Sequence, residues 1–109
     1  DTVEGFVRAA ASPEANGQVI NVGSGKEISI GALAKLILEL VDRRHLPITC
    51  ESARLRPEPS EVDRLCADHR KAQRLLNWQP QYTLEAGLTQ TIEWIRQNLD
   101  RYRVGTYAV

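Results

Sequence analysis

The sequence predicts a small α/β domain with two short parallel strands and about four helices, and three features of the chain carry that expectation. Residues 18–22, Gln-Val-Ile-Asn-Val, form a β-branched run bounded by Gly17 and Gly23, the pattern of a buried strand. Residues 30–41 then place apolar side chains at helical spacing. Residues 46–51 alternate again, so a helix connects two strands, which pair in parallel through such a crossover as a βαβ unit.

Each further element has its own local cause. Val3, Phe6, Val7 and Ala10 recur at helical spacing, giving an opening helix of about ten residues that Ser12-Pro13 and the Asn16-Gly17 turn bring to an end. Ser29 is placed to cap the helix after the first strand, with Ile28 ahead of it as a hydrophobic staple. Ile30, Leu33, Ala34, Ile37, Leu40 and Val41 form that helix's apolar stripe. Arg43-Arg44-His45 sets cations at its negative end, and Pro47 stops its extension. Asp68 can cap a short helix with a stripe of Ala72, Leu75 and Leu76, and Asn77 suits the left-handed residue that closes it. Thr83 caps a last helix lined by Leu84, Leu88, Thr91, Ile92, Ile95 and Leu99.

At 109 residues the chain is one domain at most, and it contains no methionine, which suggests a piece of a longer polypeptide. Its 14 basic and 14 acidic residues balance, so no overall field draws it to nucleic acid or to an anionic membrane. Its apolar runs fall far short of the about 20 residues a membrane helix needs. Cys50 and Cys66 are too few for a disulfide framework, so a reducing, cytoplasmic setting is expected. Neither His45 nor His69 stands in metal-ligand spacing with them, and no metal is expected.

The stretch that stands out is residues 54–68, where two prolines and seven charges interrupt a chain otherwise patterned for packed helices. Each proline pushes the residue before it, Arg56 or Glu58, into extended backbone. Residues two apart on an extended chain share a face, so Arg54 and Arg56 can present two guanidinium forks side by side. That arrangement suits a diphosphate, whose oxygens guanidinium binds through parallel hydrogen bonds, and Glu61 can accept from sugar hydroxyls.

Asn21-Val22-Gly23-Ser24-Gly25 places a polar side chain at a strand end, followed by two glycines that let backbone amides approach a ligand. No third glycine and no acidic strand end complete a dinucleotide fingerprint, and there is no phosphate-loop lysine pattern. Neither a nucleophile elbow around Ser24 nor a tyrosine with lysine four residues later occurs, so no catalytic residue is expected in this chain.

Taken in order, several stretches resemble the C-terminal part of the NAD-dependent epimerase/dehydratase family, extended short-chain dehydrogenase/reductase enzymes that act on nucleotide sugars. They are residues 1–6; residues 21–25 with Ile28-Ser29-Ile30; and Arg56-Pro57 through Ser60-Glu61-Val62 to Ala67-Asp68. Lys71-Ala72, Leu76-Asn77-Trp78-Gln79-Pro80 and residues 84–88 complete the set. The wording is most similar to that of nucleotide-sugar 4,6-dehydratases.

The resemblance implies a two-lobed enzyme. An N-terminal Rossmann domain would hold NAD and the catalytic residues, while residues 1–109 would form the smaller lobe that closes over the nucleotide sugar. On that pattern Arg56 binds the diphosphate, Glu61 reaches the ribose, and Asn21 is a further contact. The implied chemistry of the parent is oxidation at sugar C4, elimination of water across C5 and C6, and reduction at C6. A homodimeric parent, and no cofactor in this chain by itself, go with it. A 4-epimerase or a UDP-glucuronate decarboxylase of the same family is the alternative. An independent α/β interaction module, with the Arg/Pro stretch as a docking segment, is the reading from another class.

Overall fold

The computed structural model describes residues 1–50 and 64–102, and the account below concerns those residues. Four α-helices make up its regular structure: α1 (Thr2–Ala11), α2 (Ile30–Leu40), α3 (Arg70–Leu76) and α4 (Leu84–Gln97). Single 3-10 turns at Pro13–Ala15 and Leu99–Arg101 follow α1 and α4.

The helix expectations hold closely. The α1 helix is ten residues long and ends at Ser12, ahead of Pro13. Ser29 and Thr83 cap α2 and α4 by accepting from Ala32 N–H at 3.1 Å and Ala86 N–H at 3.2 Å. Asn77 takes the left-handed conformation at the end of α3, φ 49°. Asp42 does the same after α2, where Arg43 N–H reaches Leu38 O and Asp42 N–H reaches Glu39 O, a paired closure that satisfies two terminal carbonyls. Leu99 is the exception in the last helix: α4 breaks at Asn98, whose amide donates to Trp94 O at 2.8 Å, and Leu99 falls in the separate turn.

The two parallel strands are not borne out: the described residues contain no strand. A strand exists only through the partner that satisfies its N–H and C=O groups. Residues 18–22 have the β-branched composition but pair with no other described segment, and residues 46–50 do not supply the ladder. The packing of the first run is nevertheless that of a strand with one inner face, since Ile20 and Val22 lean on the core while Val19 is 82% exposed. Glu51, the end of the second expected strand, lies outside the described residues.

The core is small and centres on the turn after α3. Ala72, Leu76 and Trp78 are buried, with Ala9, Ala15, Ile20, Val22 and Leu75 packed around them. Trp78 is 2% exposed, and its indole N–H donates to Asp1 O at 3.0 Å, so its one polar atom is satisfied inside the core. The α1 helix comes this close because position 5 is glycine: a Cβ there would lie 3.0 Å from Val22 Cγ1 and 3.5 Å from Trp78 Nε1. Arg8 spans the same joint. Its guanidinium pairs with Glu4 at 2.7 Å and donates to the carbonyls of Leu76 and Asn77, which α3 leaves without helical partners.

The second helix pair, α2 with α4, meets along Ile37, Val41, Ile92 and Ile95. Its tie to the first pair is Asp1, whose carboxylate accepts from Gln81 N–H at 3.1 Å and Tyr82 N–H at 3.3 Å just before α4 begins.

At the head of α3, Asp68 accepts from the Arg70 backbone N–H at 3.0 Å while His69 occupies the capping position. The Arg70 guanidinium also binds the Asp68 carboxylate, at 2.6 to 2.9 Å, and these hydrogen bonds hold the carboxyl down to about 2 from an ordinary 3.8. A depressed folded-state value contributes stability above the unfolded value and loses it as pH falls toward the folded one. The ionisation-linked part of the stability difference between the native protein and Asp68→Asn is therefore expected to be fully present well above pH 3.8 and to be lost as pH falls through about 2. It should be small, because the pair is exposed. Acid-unfolding curves of the two proteins measure it. Denaturation midpoints check the close packing of α1. Gly5→Leu should destabilise by about 1–3 kcal/mol through overpacking. Gly87→Ala, where a Cβ meets nothing within 4 Å, should instead stabilise α4 by about 0.5–1 kcal/mol.

Candidate functional site

Of the residues expected to bind ligand, one lies among the described residues and three do not. Asn21 lies inside it, exposed, at the end of the run that leads into Gly23. Arg54, Arg56 and Glu61 lie outside the described residues.

What the structure does define is the seat of the Arg/Pro stretch at its C-terminal end. Residues 64–69 run beside the loop that starts at Asn21, and both glycines of that loop are used to let them in. A Cβ on Gly23 would lie 2.7 Å from Ala67 Cβ, a distance real side chains do not adopt, so only glycine allows the approach. Gly25 has φ +68° and would carry its Cβ 3.1 Å from the His69 ring. A third tie is electrostatic: the Arg64 guanidinium binds both carboxylate oxygens of Glu27 at 2.9 to 3.2 Å, a bidentate pair that fixes orientation as well as distance. Asn21 and the exit of the Arg/Pro stretch are thus parts of one surface.

His69 belongs to that surface in a way the sequence did not indicate. The sequence assigned His69 no role beyond excluding it as a metal ligand, whereas the ring is half-buried and stands edge-on to Trp78, with centroids 6.1 Å apart and planes at 75°. Its Nδ1 is buried without a hydrogen-bond partner. No spacing rule marks such a residue, because its neighbours Gly25 and Trp78 are distant in sequence. The same holds for Asp1, Arg8 and the Arg64–Glu27 pair.

Beyond the loop, Ser24, Lys26, Glu27 and Ile28 face Pro80, Gln81, Tyr82, Thr83 and Leu84 across an open cleft of about 360 Å³. Ser24 Oγ accepts from Lys26 N–H at 3.2 Å, which folds the loop back on itself. The cleft offers an ammonium, hydroxyls and apolar walls, which can hold and orient a ligand.

Among the described residues, the loop of Gly23 and Gly25 does not fit a dinucleotide. In such a site the glycines leave room for a pyrophosphate against the backbone, whereas here Gly23 and Gly25 are filled by Ala67 and His69 of the same chain. Among the described residues no group of His, Cys, Asp and Glu side chains could hold a metal ion. No described helix is long and apolar enough to cross a membrane.

Comparison with known proteins supplies the family. Residues 1–91 match the family model described as GDP-mannose 4,6 dehydratase. Relatives include a UDP-glucuronate 4-epimerase of Thermodesulfobacterium geofontis, 31% identical over 76% of this chain and 24% of that protein. A UDP-glucose 4-epimerase of Mycolicibacterium smegmatis is 34% identical over 88% of this chain and 29% of its own length. A dTDP-D-glucose 4,6-dehydratase of Mus musculus is 29% identical over 94% of this chain and 29% of its own length. No solved structure gives a significant match. The chain therefore spans about a quarter of the length of the curated relatives it matches. By the family match across residues 1–91, the chain belongs to the NAD-dependent epimerase/dehydratase family of nucleotide-sugar enzymes.

Proposed function

We propose that this chain is the nucleotide-sugar-binding lobe of an NAD-dependent sugar 4,6-dehydratase and has no activity alone. The observation that carries the reading is the family match over residues 1–91, a span that includes Asn21, Arg54, Arg56 and Glu61. It is supported by the way Gly23, Gly25 and Glu27 hold residues 64–69 against the loop that begins at Asn21. That seat brings the exit of the Arg/Pro stretch to the surface that carries Asn21.

The names of the relatives share one chemical feature, a sugar joined to a nucleoside through a diphosphate: UDP-glucuronate, UDP-glucose and dTDP-D-glucose. Two adjacent phosphates are the group that paired guanidinium forks bind best. In this reading Arg56, with Arg54 beside it, grips the diphosphate, Glu61 accepts from ribose hydroxyls, and Asn21 adds a contact from the loop. The chain's share of the reaction is orientation: binding energy from the nucleotide end fixes the hexose at the far end for chemistry carried out elsewhere. NAD, which supplies reversible oxidation of the sugar, would be held by an N-terminal domain in the rest of the polypeptide. The two loop glycines of this chain, Gly23 and Gly25, are already occupied by Ala67 and His69. A cytoplasmic homodimer is the setting proposed for that parent.

A second reading has an observation in its favour. Three of the relatives carry the name of a 4-epimerase, and another, of Xenopus tropicalis, is named a UDP-glucuronic acid decarboxylase. The product separates these readings: a 4-keto-6-deoxy sugar nucleotide, a C4 epimer, or a pentose nucleotide with loss of carbon dioxide. In the complete gene product, Arg56→Ala is expected to raise the nucleotide-sugar KM by about 10- to 150-fold, the loss of one or two charge-assisted hydrogen bonds of about 1.5 kcal/mol each. NAD affinity should stay unchanged. Steady-state kinetics with NAD titrated separately checks this, and an unaltered KM removes Arg56 from the clamp.

A further inference from the structure

The opening helix is amphipathic the wrong way round for this chain. Its core-facing positions are 5, 9 and 12, one face of a helix at i, i+4 and i+7, and they hold Gly5, Ala9 and Ser12. Gly5 is buried, Ala9 packs on the core, and Ser12 Oγ donates to Leu75 O at 3.3 Å. The large apolar side chains sit opposite. Val3 is 75%, Phe6 72% and Val7 59% exposed, and together they make the apolar stripe the sequence displays. A monomer gains nothing from an aromatic and two valines in water on one helix face.

This face is not a frayed end. The first turn is anchored by the Asp1 carbonyl on the Trp78 indole and by the Asp1 carboxylate on Gln81 and Tyr82. The last turn is anchored by Arg8 on the end of α3. The stripe is therefore displayed at a fixed position by an immobilised helix, as an interface requires.

We infer that α1 is a layer shared by two bodies: its small-residue face closes the Trp78 core, and its Val3–Phe6–Val7 face is covered by the remainder of the same polypeptide. This rests on the two-lobed reading proposed above. The occupant follows from length, since the relatives are about three to four times longer than the stretch this chain matches. The joint has a consequence for the site. Whatever presses on α1 is transmitted through Asp1 to residues 81 and 82, which line the 360 Å³ cleft.

The test uses the complete gene product, with Cys50→Ser and Cys66→Ser removing the exposed native thiols. Single cysteines are placed at Val3→Cys, at Val7→Cys and, as an exposed reference on α3, at Gln73→Cys. Maleimide labelling rates are normalised to those of the urea-unfolded protein. Positions 3 and 7 should label at least about tenfold more slowly than position 73, the protection a packed face confers. Equal rates at all three positions overturn the inference. So does protection that disappears on dilution, which would make a second copy the occupant, and so does a gene product with nothing beyond this chain. Titrating UDP-glucose into the same samples keeps the two readings apart. Unprotected α1 with binding intact sinks the shared layer alone, and protected α1 without binding sinks the nucleotide-sugar reading alone.

Discussion

The fold depends on how Trp78 is seated. Burying an indole removes much apolar surface from water, worth about 2–3 kcal/mol, but only if the indole N–H finds an acceptor inside. Here the acceptor is Asp1 O, at the other end of the sequence. One hydrogen bond therefore joins the N-cap of α1 to the turn after α3, and the rest of the core follows from that junction. Asn77 supplies the left-handed residue that swings Trp78 inward, and Gly5 supplies the gap into which the indole fits. Arg8 covers the helix end that the turn leaves open. With only three hydrophobic side chains buried among the described residues, few other interactions could take over if this one failed.

The same economy shapes the ligand surface. Gly23 and Gly25 read in the sequence as a loop built to let a phosphate approach, yet in the folded chain they let its own residues 67 and 69 approach. The effect is to plant the end of the Arg/Pro stretch against the loop that begins at Asn21, with the Glu27–Arg64 pair fixing the orientation. In the function proposed for this chain, phosphate recognition would fall to the guanidinium groups of Arg54 and Arg56 and not to these backbone amides, with the dinucleotide left to another part of the protein.

Much of the helical structure was legible because it is set by local chemistry. Ser29 and Thr83 accept from the helix amides that follow them, Asn77 tolerates a positive φ, and Pro13 ends α1, each by a rule that acts within a few residues. The strands were misjudged for the converse reason. Val19, Ile20 and Val22 carry the composition of a strand, but composition cannot supply the partner backbone that makes one, and no described segment does so. The α1 stripe was seen and its direction was not. Periodicity says that Val3, Phe6 and Val7 share a face but not that the core would choose the side with Gly5 and Ala9. In the candidate site, the proposed diphosphate clamp rests on Arg54, Arg56 and Glu61 as read in the sequence, whereas the contacts the structure shows beside it, Ala67 on Gly23, His69 on Gly25 and Glu27 on Arg64, join residues too far apart for any spacing rule.

The central claim is that the ligand is recognised by its two linked phosphates. Calorimetric titration of the NAD-loaded complete gene product addresses it directly, comparing UDP-, dTDP- and GDP-linked hexoses with the same hexoses carried as 1-phosphates. The account predicts saturable binding of at least one nucleoside-diphosphate sugar and none of the 1-phosphates at the same concentration. Equal binding of the two classes, or no binding of any nucleotide sugar, would contradict it.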